Sequence, residues 1–463
     1  MAAFARGPAL LYALMISGSF GTLQMLPGSG GGANLLPQSV CAVLFVAKVL
    51  AQPGNFTRAV EAALDPRRLA LFSAFLVYSV VGALVLPRLF AGVFEVVPVS
   101  AFSFGTDILR PSSGNFTQSC YMALSYATTL CFSIIGQSEA MREHFRRALL
   151  YAALGLVGTG LLDLVTYTLH IGSLLDPFRT ASYSLLIDVE ADGAKRVVGL
   201  MPEASTYGTA CVGILSLMIF MRPLYRAGNS QAMALVAIAA LSLMSMLSTS
   251  ATAIVGIGVM GGVYAFDLLA RMIDPTNLRR AQLNIEISLI VVVAFALAVS
   301  LVVNPSMYDP VVSLVDKMVF QKASSASYAE RSLWNRVGWE AFLDSGGIGA
   351  GLGSIRVSNW AISILGSTGV LGAILMFGFI VQQLVTVSRT APVMANLFAM
   401  LLKIGLLPTL IMYQLAGTIP DIGITAAAAL GLIAAAHTPT GRTTSSRQSS
   451  PGKLSLAQTP STS

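Results

Sequence analysis

The sequence predicts an all-α, polytopic integral membrane protein with about twelve transmembrane helices and a large helical loop outside the membrane. Three observations predict it. Of 463 residues, 55% are hydrophobic and 11% charged, against roughly 25% charged in soluble domains, and mean hydropathy is +0.74. The apolar residues gather into runs near the ~20 residues that a bilayer crossing requires. The connecting segments alternate between basic and less basic, the pattern that sets topology. Together these exclude a disordered chain, a coiled coil and an ordinary cytosolic enzyme.

Taken in order, the runs are Ala9–Leu26, Leu36–Ala51, Leu69–Leu86, Phe116–Ile135, Ala148–Leu169, Thr206–Phe220, Ala232–Leu247, Ala251–Ala270, Ile287–Val303, Trp360–Val381, Leu397–Leu415 and Ile422–Ala436. Runs of this kind satisfy their backbone polar groups as helices, and the alternation of a membrane barrel is absent. The first reads as a retained helix: Arg6 precedes it, but no small-residue cleavage site stands before Gly28–Gly32, which reads as a hairpin loop. With the N-terminus inside, eighteen of the 28 basic residues and seven of the 21 acids fall on the cytoplasmic side, from Arg6 and Lys48 through Arg447 and Lys453. Both termini are then cytoplasmic. Residues 1–438 form the transmembrane domain, with large outer loops at about 172–205 and 304–359. Residues 439–463, rich in Ser, Thr, Pro and Gln, read as a disordered cytoplasmic tail. The second loop contains an amphipathic helix over Tyr328–Leu343, with Trp334, Val337 and Ala341 along one stripe, the pattern of a helix ordered on a membrane surface.

Cys41, Cys120, Cys131 and Cys211 lack disulfide spacing, and His144, His170 and His437 are too scattered for a metal cluster. No metal and no cofactor are expected. Chemistry concentrates instead in the outer loops. Lys195 and Arg196 lie just before Pro202-Glu203-Ala-Ser205-Thr206-Tyr207, residues that open a helix. Cations beside a helix N-terminus favour a phosphate-bearing ligand, although interfacial snorkelling also explains them. The second loop carries Arg331, Arg336 and Arg356 beside a glycine-dense turn, Gly346 to Gly353, able to bring backbone close to a ligand. On a helix, Arg331 and Arg336 lie roughly 140° apart, so at most one can grip a given phosphate. Within the membrane, Asp163 reads equally as functional or as an interhelical hydrogen-bond partner. Ser248, Thr249, Ser250 and Thr252 read as helix caps at a tight outer turn.

The order of these motifs is Arg196-x-x-Gly199-x-x-x-Glu203-x-Ser205, then Ser248-Thr249-Ser250-x-Thr252, then the Arg/Trp/Gly-rich loop ending Ser358-Asn359, then Leu365-Gly-Ser-Thr-Gly369-Val-Leu-Gly372. Over roughly Arg196 to Ile380 this resembles the O-antigen ligase and O-antigen polymerase superfamily, exopolysaccharide polymerases included. The resemblance implies a GT-C-like glycosyltransferase of the bacterial inner membrane, acting on its outer face with an undecaprenyl-diphosphate-linked oligosaccharide as donor. It implies that Arg196 and one or more of Arg331, Arg336 and Arg356 hold the diphosphate. Ligases of this group carry a histidine just before the asparagine that opens the span after the large loop. Here Ser358 precedes Asn359, which favours a polymerase joining repeat units. The expected catalytic residues are Glu203 as general base, Arg196 and Arg336, with Glu340 a weaker base candidate. Lys195, Arg331, Arg356, Ser358, Asn359 and Tyr207 are expected to contact the substrate. Expected partners are the lipid-linked oligosaccharide, membrane lipid and other polysaccharide-assembly proteins, with no nucleic acid. The alternatives are a ligase, a flippase or transporter, and a non-catalytic member of an assembly complex.

Overall fold

The computed structural model describes residues 7–25, 34–99, 105–182, 194–225, 228–274, 283–303 and 326–438, with short pieces at 185–186, 190–191 and 279–280 and at residue 316. The Gly28–Gly32 hairpin, most of 304–325 and the 439–463 tail lie outside the described residues. Among those described, the chain forms fourteen α-helices: α1 (Ala9–Ser17), α2 (Pro37–Leu50), α3 (Asn55–Leu64), α4 (Ala70–Leu89), α5 (Ser113–Ile135), α6 (Glu139–Thr168), α7 (Ala204–Met221), α8 (Asn229–Leu247), α9 (Ala251–Ile273), α10 (Leu283–Val303), α11 (Ala326–Asp344), α12 (Trp360–Val385), α13 (Val393–Ala416) and α14 (Gly423–Ala435). Two antiparallel ribbons, Glu95–Val96 with Asp107–Ile108 and Glu190–Ala191 with Ala194–Lys195, are the β structure among the described residues.

Each of the twelve apolar runs contains a helix, and eight helices are long and apolar enough to cross a membrane, or nine spans if the α2–α3 pair, bent by 106°, counts as one. The run expected to span from Ala9 is helical only to Ser17, because the chain turns at Gly18 and leaves as a loop whose Phe20 bridges to Leu200. At ~1.5 Å per residue, neither α1 nor α14 reaches across ~30 Å of hydrocarbon alone. Helix α7 is enclosed by α6, α8, α9 and α13, while α5 runs along α14. Side chains on the outer surface of the bundle are apolar: Val77, Val236, Phe266, Phe295 and Val302 are all exposed. In water such a surface would be a liability; in hydrocarbon it is the favourable choice.

Successive helices alternate in direction, so the C-terminal ends of α1, α4, α6, α8 and α13 meet the N-terminal ends of α5, α7, α9, α12 and α14 at one end of the bundle, termed here the loop face. At the opposite end, buried ions tie α9 and α10 to α7: Arg279 and Arg271 pair with Asp267, and Arg271 and Arg222 pair with Glu286. Helix α11 carries its apolar stripe as expected, but the stripe does not face lipid. Ala341 is buried with Phe94, Val96, Leu109, Ile355 and Val357 in a small core of their own, and Val337 is buried too, so protein rather than a membrane surface orders this helix.

The glycine-dense turn serves the fold. Helix α12 breaks at Gly369, which adopts φ 64°, ψ −166°. The N–H of Val370, which in an unbroken helix would bond to Gly366, donates instead to the Gly347 carbonyl (2.9 Å). The freed Gly366 and Ser367 carbonyls accept from Ala350 and Gly351 (2.8 and 2.9 Å). The turn thus inserts into the break and exchanges hydrogen bonds with it, leaving these buried backbone groups paired. Gly349 shows why glycine is needed: φ is +93°, and a Cβ would sit 2.7 Å from the Gly369 nitrogen. The close approach expected of these glycines is therefore to another helix and not to a ligand. Gly349→Ala is expected to combine left-handed strain of about 1–2 kcal/mol with an overpacking cost of about 1–3 kcal/mol. Gly346→Ala, at φ +65° with open space around it, is expected to incur the strain alone. Thermal unfolding of the two variants in detergent checks the difference.

Candidate functional site

The site grows from one buried carboxylate. Asp163 sits in the last turns of α6 at 2% exposure. Its Oδ1 lies 2.9 Å from the Arg179 guanidinium and 3.6 Å from Lys195 Nζ, and its Oδ2 accepts the N–H groups of Val198 (2.9 Å) and Gly199 (3.1 Å). A charge at this depth is tolerated only with such partners. The arrangement holds Arg179 and residues 195–199 against the end of α6. Thr22 completes the clamp, its hydroxyl donating to the Leu200 carbonyl and its carbonyl accepting from Thr180 and Ala181. Asp163 is thus an anchor. Lys195, expected at the substrate, is buried on Asp163 with its Nζ 5.3 Å from the centre of the Tyr167 ring.

Arg196 points elsewhere. Its Nε donates to Thr249 Oγ1 (3.1 Å) and its Nη2 to the Thr249 carbonyl (3.3 Å). Thr249 holds φ 44°, an unusual backbone for a β-branched residue, which turns its hydroxyl and carbonyl toward the arginine. Ser250 caps α9 as expected, accepting from Ala253 N. Burial draws the Arg196 pKa down, Glu203 opposes that shift and Arg331 adds to it. Arg196 therefore shares its surroundings with both residues.

Glu203 precedes α7 with extended backbone, and its carboxylate does not cap that helix. It accepts instead from the hydroxyl of Ser205, and from that of Thr206 at 3.5 Å. Arg331 from α11 approaches Glu203 Oε1 at 3.9 Å. Arg356 completes the group: burial lowers its pKa, while Glu330 and Glu203 raise it. Its guanidinium stands over the Trp334 ring, 5.2 Å from the centroid, and its backbone N–H donates to the Val97 carbonyl. The Trp334 indole N–H is buried with no hydrogen-bond partner. Arg331 thus pairs with Glu203, Arg196 and Arg356 lie within electrostatic reach of it, and Glu330 lies within reach of Arg356, which leaves the group net positive near the N-terminus of α7.

Other expected residues are placed differently. Arg336 lies five residues beyond Arg331, with a side chain 68% exposed and paired with Glu340 at 3.9 Å. The ~140° separation turns it away from the Glu203 cluster, and the same pairing leaves Glu340 at the surface. Tyr207 is fully buried and donates to the Leu156 carbonyl (2.8 Å) between Gly160 and Gly199, which makes it packing of the α6–α7 contact. Ser358 is buried, with its N–H on Asn335 Oδ1 (2.7 Å). Asn359 caps α12 through Ile362 N and donates to the Gln414 carbonyl. The Asn359 amide is thus used within the fold.

Glu203 also lines a cavity of about 500 Å³ that runs among α1, α6, α7, α13 and the start of α14. Down α7 the lining extends from Glu203 to Leu217, about 20 Å of helix at 1.5 Å per residue. Polar groups gather near the loop face and apolar ones, including Ile214, Leu217 and Leu406, lie deeper. Asp421, in the turn between α13 and α14, also lines it. An acid flanked by Pro420 and Gly423 between two apolar runs is its only trace in the sequence. No family model matches the chain, and comparison with curated proteins gives no match. Asp163→Asn is expected to strand Arg179 and Lys195 in a buried setting and to reduce stability by roughly 3–5 kcal/mol. Limited trypsin digestion is expected to open first after Arg179, Lys195 and Arg196.

Proposed function

We propose that the protein is a metal-independent glycosyltransferase of the bacterial inner membrane. It joins undecaprenyl-diphosphate-linked oligosaccharide units into an O-antigen or exopolysaccharide chain on the outer face. In this reading the twelve apolar runs all enter or cross the bilayer in a GT-C-like arrangement, both termini are cytoplasmic and the loop face is extracytoplasmic. One observation supports it above the others: Arg331 pairs with Glu203, and Arg196 and Arg356, from segments far apart in the chain, lie within electrostatic reach of that carboxylate, which lines a cavity that continues down into the apolar bundle.

A lipid-diphosphate donor has these two halves. Its diphosphate oxygens match arginine forks and an unpaired indole N–H, and its hydrocarbon chain matches the apolar depth. The acceptor hydroxyl oxygen attacks the anomeric carbon, and the bond from that carbon to the diphosphate oxygen breaks with its electron pair leaving on the diphosphate. Arg196, Arg331 and Arg356 stabilise that developing charge without reorganising. The hydroxyl proton passes to Glu203. In the resting protein Glu203 is ion-paired with Arg331; a bound diphosphate competes for Arg331 and releases the carboxylate to act as base. Ser358, at the place of the ligase histidine, carries a hydroxyl in place of an imidazole base, which favours polymerisation over ligation.

Arg196→Ala and Arg331→Ala are each expected to lower the yield of long-chain product by about 10²–10³-fold with membrane protein level unchanged. Arg336→Ala is expected to stay near wild type. The check is a reconstituted assay with lipid-linked oligosaccharide, scored separately for elongation and for movement of substrate across the bilayer. Translocation without elongation would show a flippase instead.

A further inference from the structure

Asp421 is held with unusual firmness for a loop residue. The carbonyl before it, on Pro420, accepts the Trp360 indole N–H (3.1 Å), and the carbonyl after it, on Ile422, accepts the Tyr413 hydroxyl (2.9 Å). The backbone on either side of Asp421 is therefore fixed. Its Oδ1 is nonetheless buried with no hydrogen-bond partner, although it belongs to the wall of the cavity that Glu203 also lines. A buried acceptor left unmatched costs about 1–3 kcal/mol, so this carboxylate, whose other donors come from Ser125 and the N–H groups of Ile422 and Gly423, keeps acceptor capacity for a ligand donor that reaches it. Ser19, on the same wall and 1% exposed, also has an unpartnered hydroxyl. The cavity wall also includes Thr209, Thr409, Thr418 and Thr425.

We infer that Asp421 and the hydroxyl-bearing wall around it form a carbohydrate subsite, in which the carboxylate accepts hydrogen bonds from ring hydroxyls of a sugar in the lipid-linked glycan. An ionised carboxylate only accepts, and sugar hydroxyls are the donors that complement it; Ser and Thr hydroxyls serve in either sense. The subsite distinguishes glycan from bare lipid diphosphate, a task the arginines do not perform. This assignment rests on the reading that the substrate is a lipid-linked glycan.

Burial pushes the Asp421 carboxyl up to about 6, with Ser125 and the N–H groups of Ile422 and Gly423 drawing it partly back down. Among the described residues, the phenols of Tyr121 on α5 and Tyr413 on α13 lie within electrostatic reach of it, and Glu203 lines the same cavity. Since the carboxyl is raised, it is protonated below about pH 6 and ionised above, so glycan binding strengthens as pH rises through that value.

The test compares two probes on purified protein in nanodiscs: undecaprenyl diphosphate, and lipid-linked oligosaccharide extracted from the native membrane. Asp421→Asn is expected to weaken the oligosaccharide probe about tenfold and to leave undecaprenyl diphosphate unchanged. The wild-type preference for the oligosaccharide is expected to grow between pH 5 and 7, a readout that needs no variant. Equal affinity of the wild type for both probes, equal loss of both in Asp421→Asn, or a pH-independent preference would overturn the subsite. Arg331→Ala separates the two readings. If it leaves undecaprenyl diphosphate binding intact while Asp421→Asn still selects against glycan, the diphosphate grip fails and the subsite stands. Binding of neither probe to wild type would overturn both.

Discussion

Everything at the loop face depends on keeping one negative charge inside the bundle. Asp163 takes two cations and two backbone N–H groups, all from a segment that has little regular structure of its own. Among the described residues its own backbone pairing is short, a 3-10 turn over Gly172–Phe178 and the two-residue ribbon to Ala194–Lys195. The carboxylate supplies an ordering centre instead, and because it is buried the arrangement is set by geometry more than by screening. Consuming Lys195 there leaves its neighbour Arg196 as the cation that turns toward Thr249 and Glu203.

A second constraint comes from backbone pairing. The break in α12 and the glycine turn before it each hold hydrogen-bonding groups that the other needs. Asn115 of α5 extends the brace, donating to the Leu352 carbonyl and Ser354 hydroxyl. Arg356 follows directly after this braced stretch, and Arg331 rides on α11, whose buried face packs beside it. The cluster around Glu203 is thereby assembled from two separately fixed supports, one anchored on Asp163 and one on α12.

Much of this was legible in the sequence. Hydropathy located a helix in all twelve runs, because burial in hydrocarbon demands only length and apolarity. Angular spacing separated Arg331 from Arg336. Hydropathy could not show that α1 stops at Ser17, since Gly18 and the apolar residues after it average well while leaving the helix. Nor could it divide Lys195 from Arg196: consecutive residues in extended chain face opposite ways, and which faces inward depends on where Asp163 lies. Gly349 read as a ligand contact because a glycine's permissiveness is visible in sequence while the object it approaches is not. Tyr207 and Asn359 carry polar atoms that Leu156 and Gln414 consume, and those partners are distant in the chain. Asp421 went unnoticed for the same reason, its burial being made by Trp360 and Tyr413.

The exchange of hydrogen bonds between the glycine turn and α12 also bears on how this chain matures. The turn is synthesised before the carbonyls it must meet, so it waits, unmatched, until the broken helix has entered the bilayer. The segment that carries Arg331 and Arg356 is consequently no detachable module: excised from the bundle, it would lose the acceptors that define its shape. Assembly of the cationic cluster is therefore a late event, sealed only when the final third of the protein has been threaded into lipid.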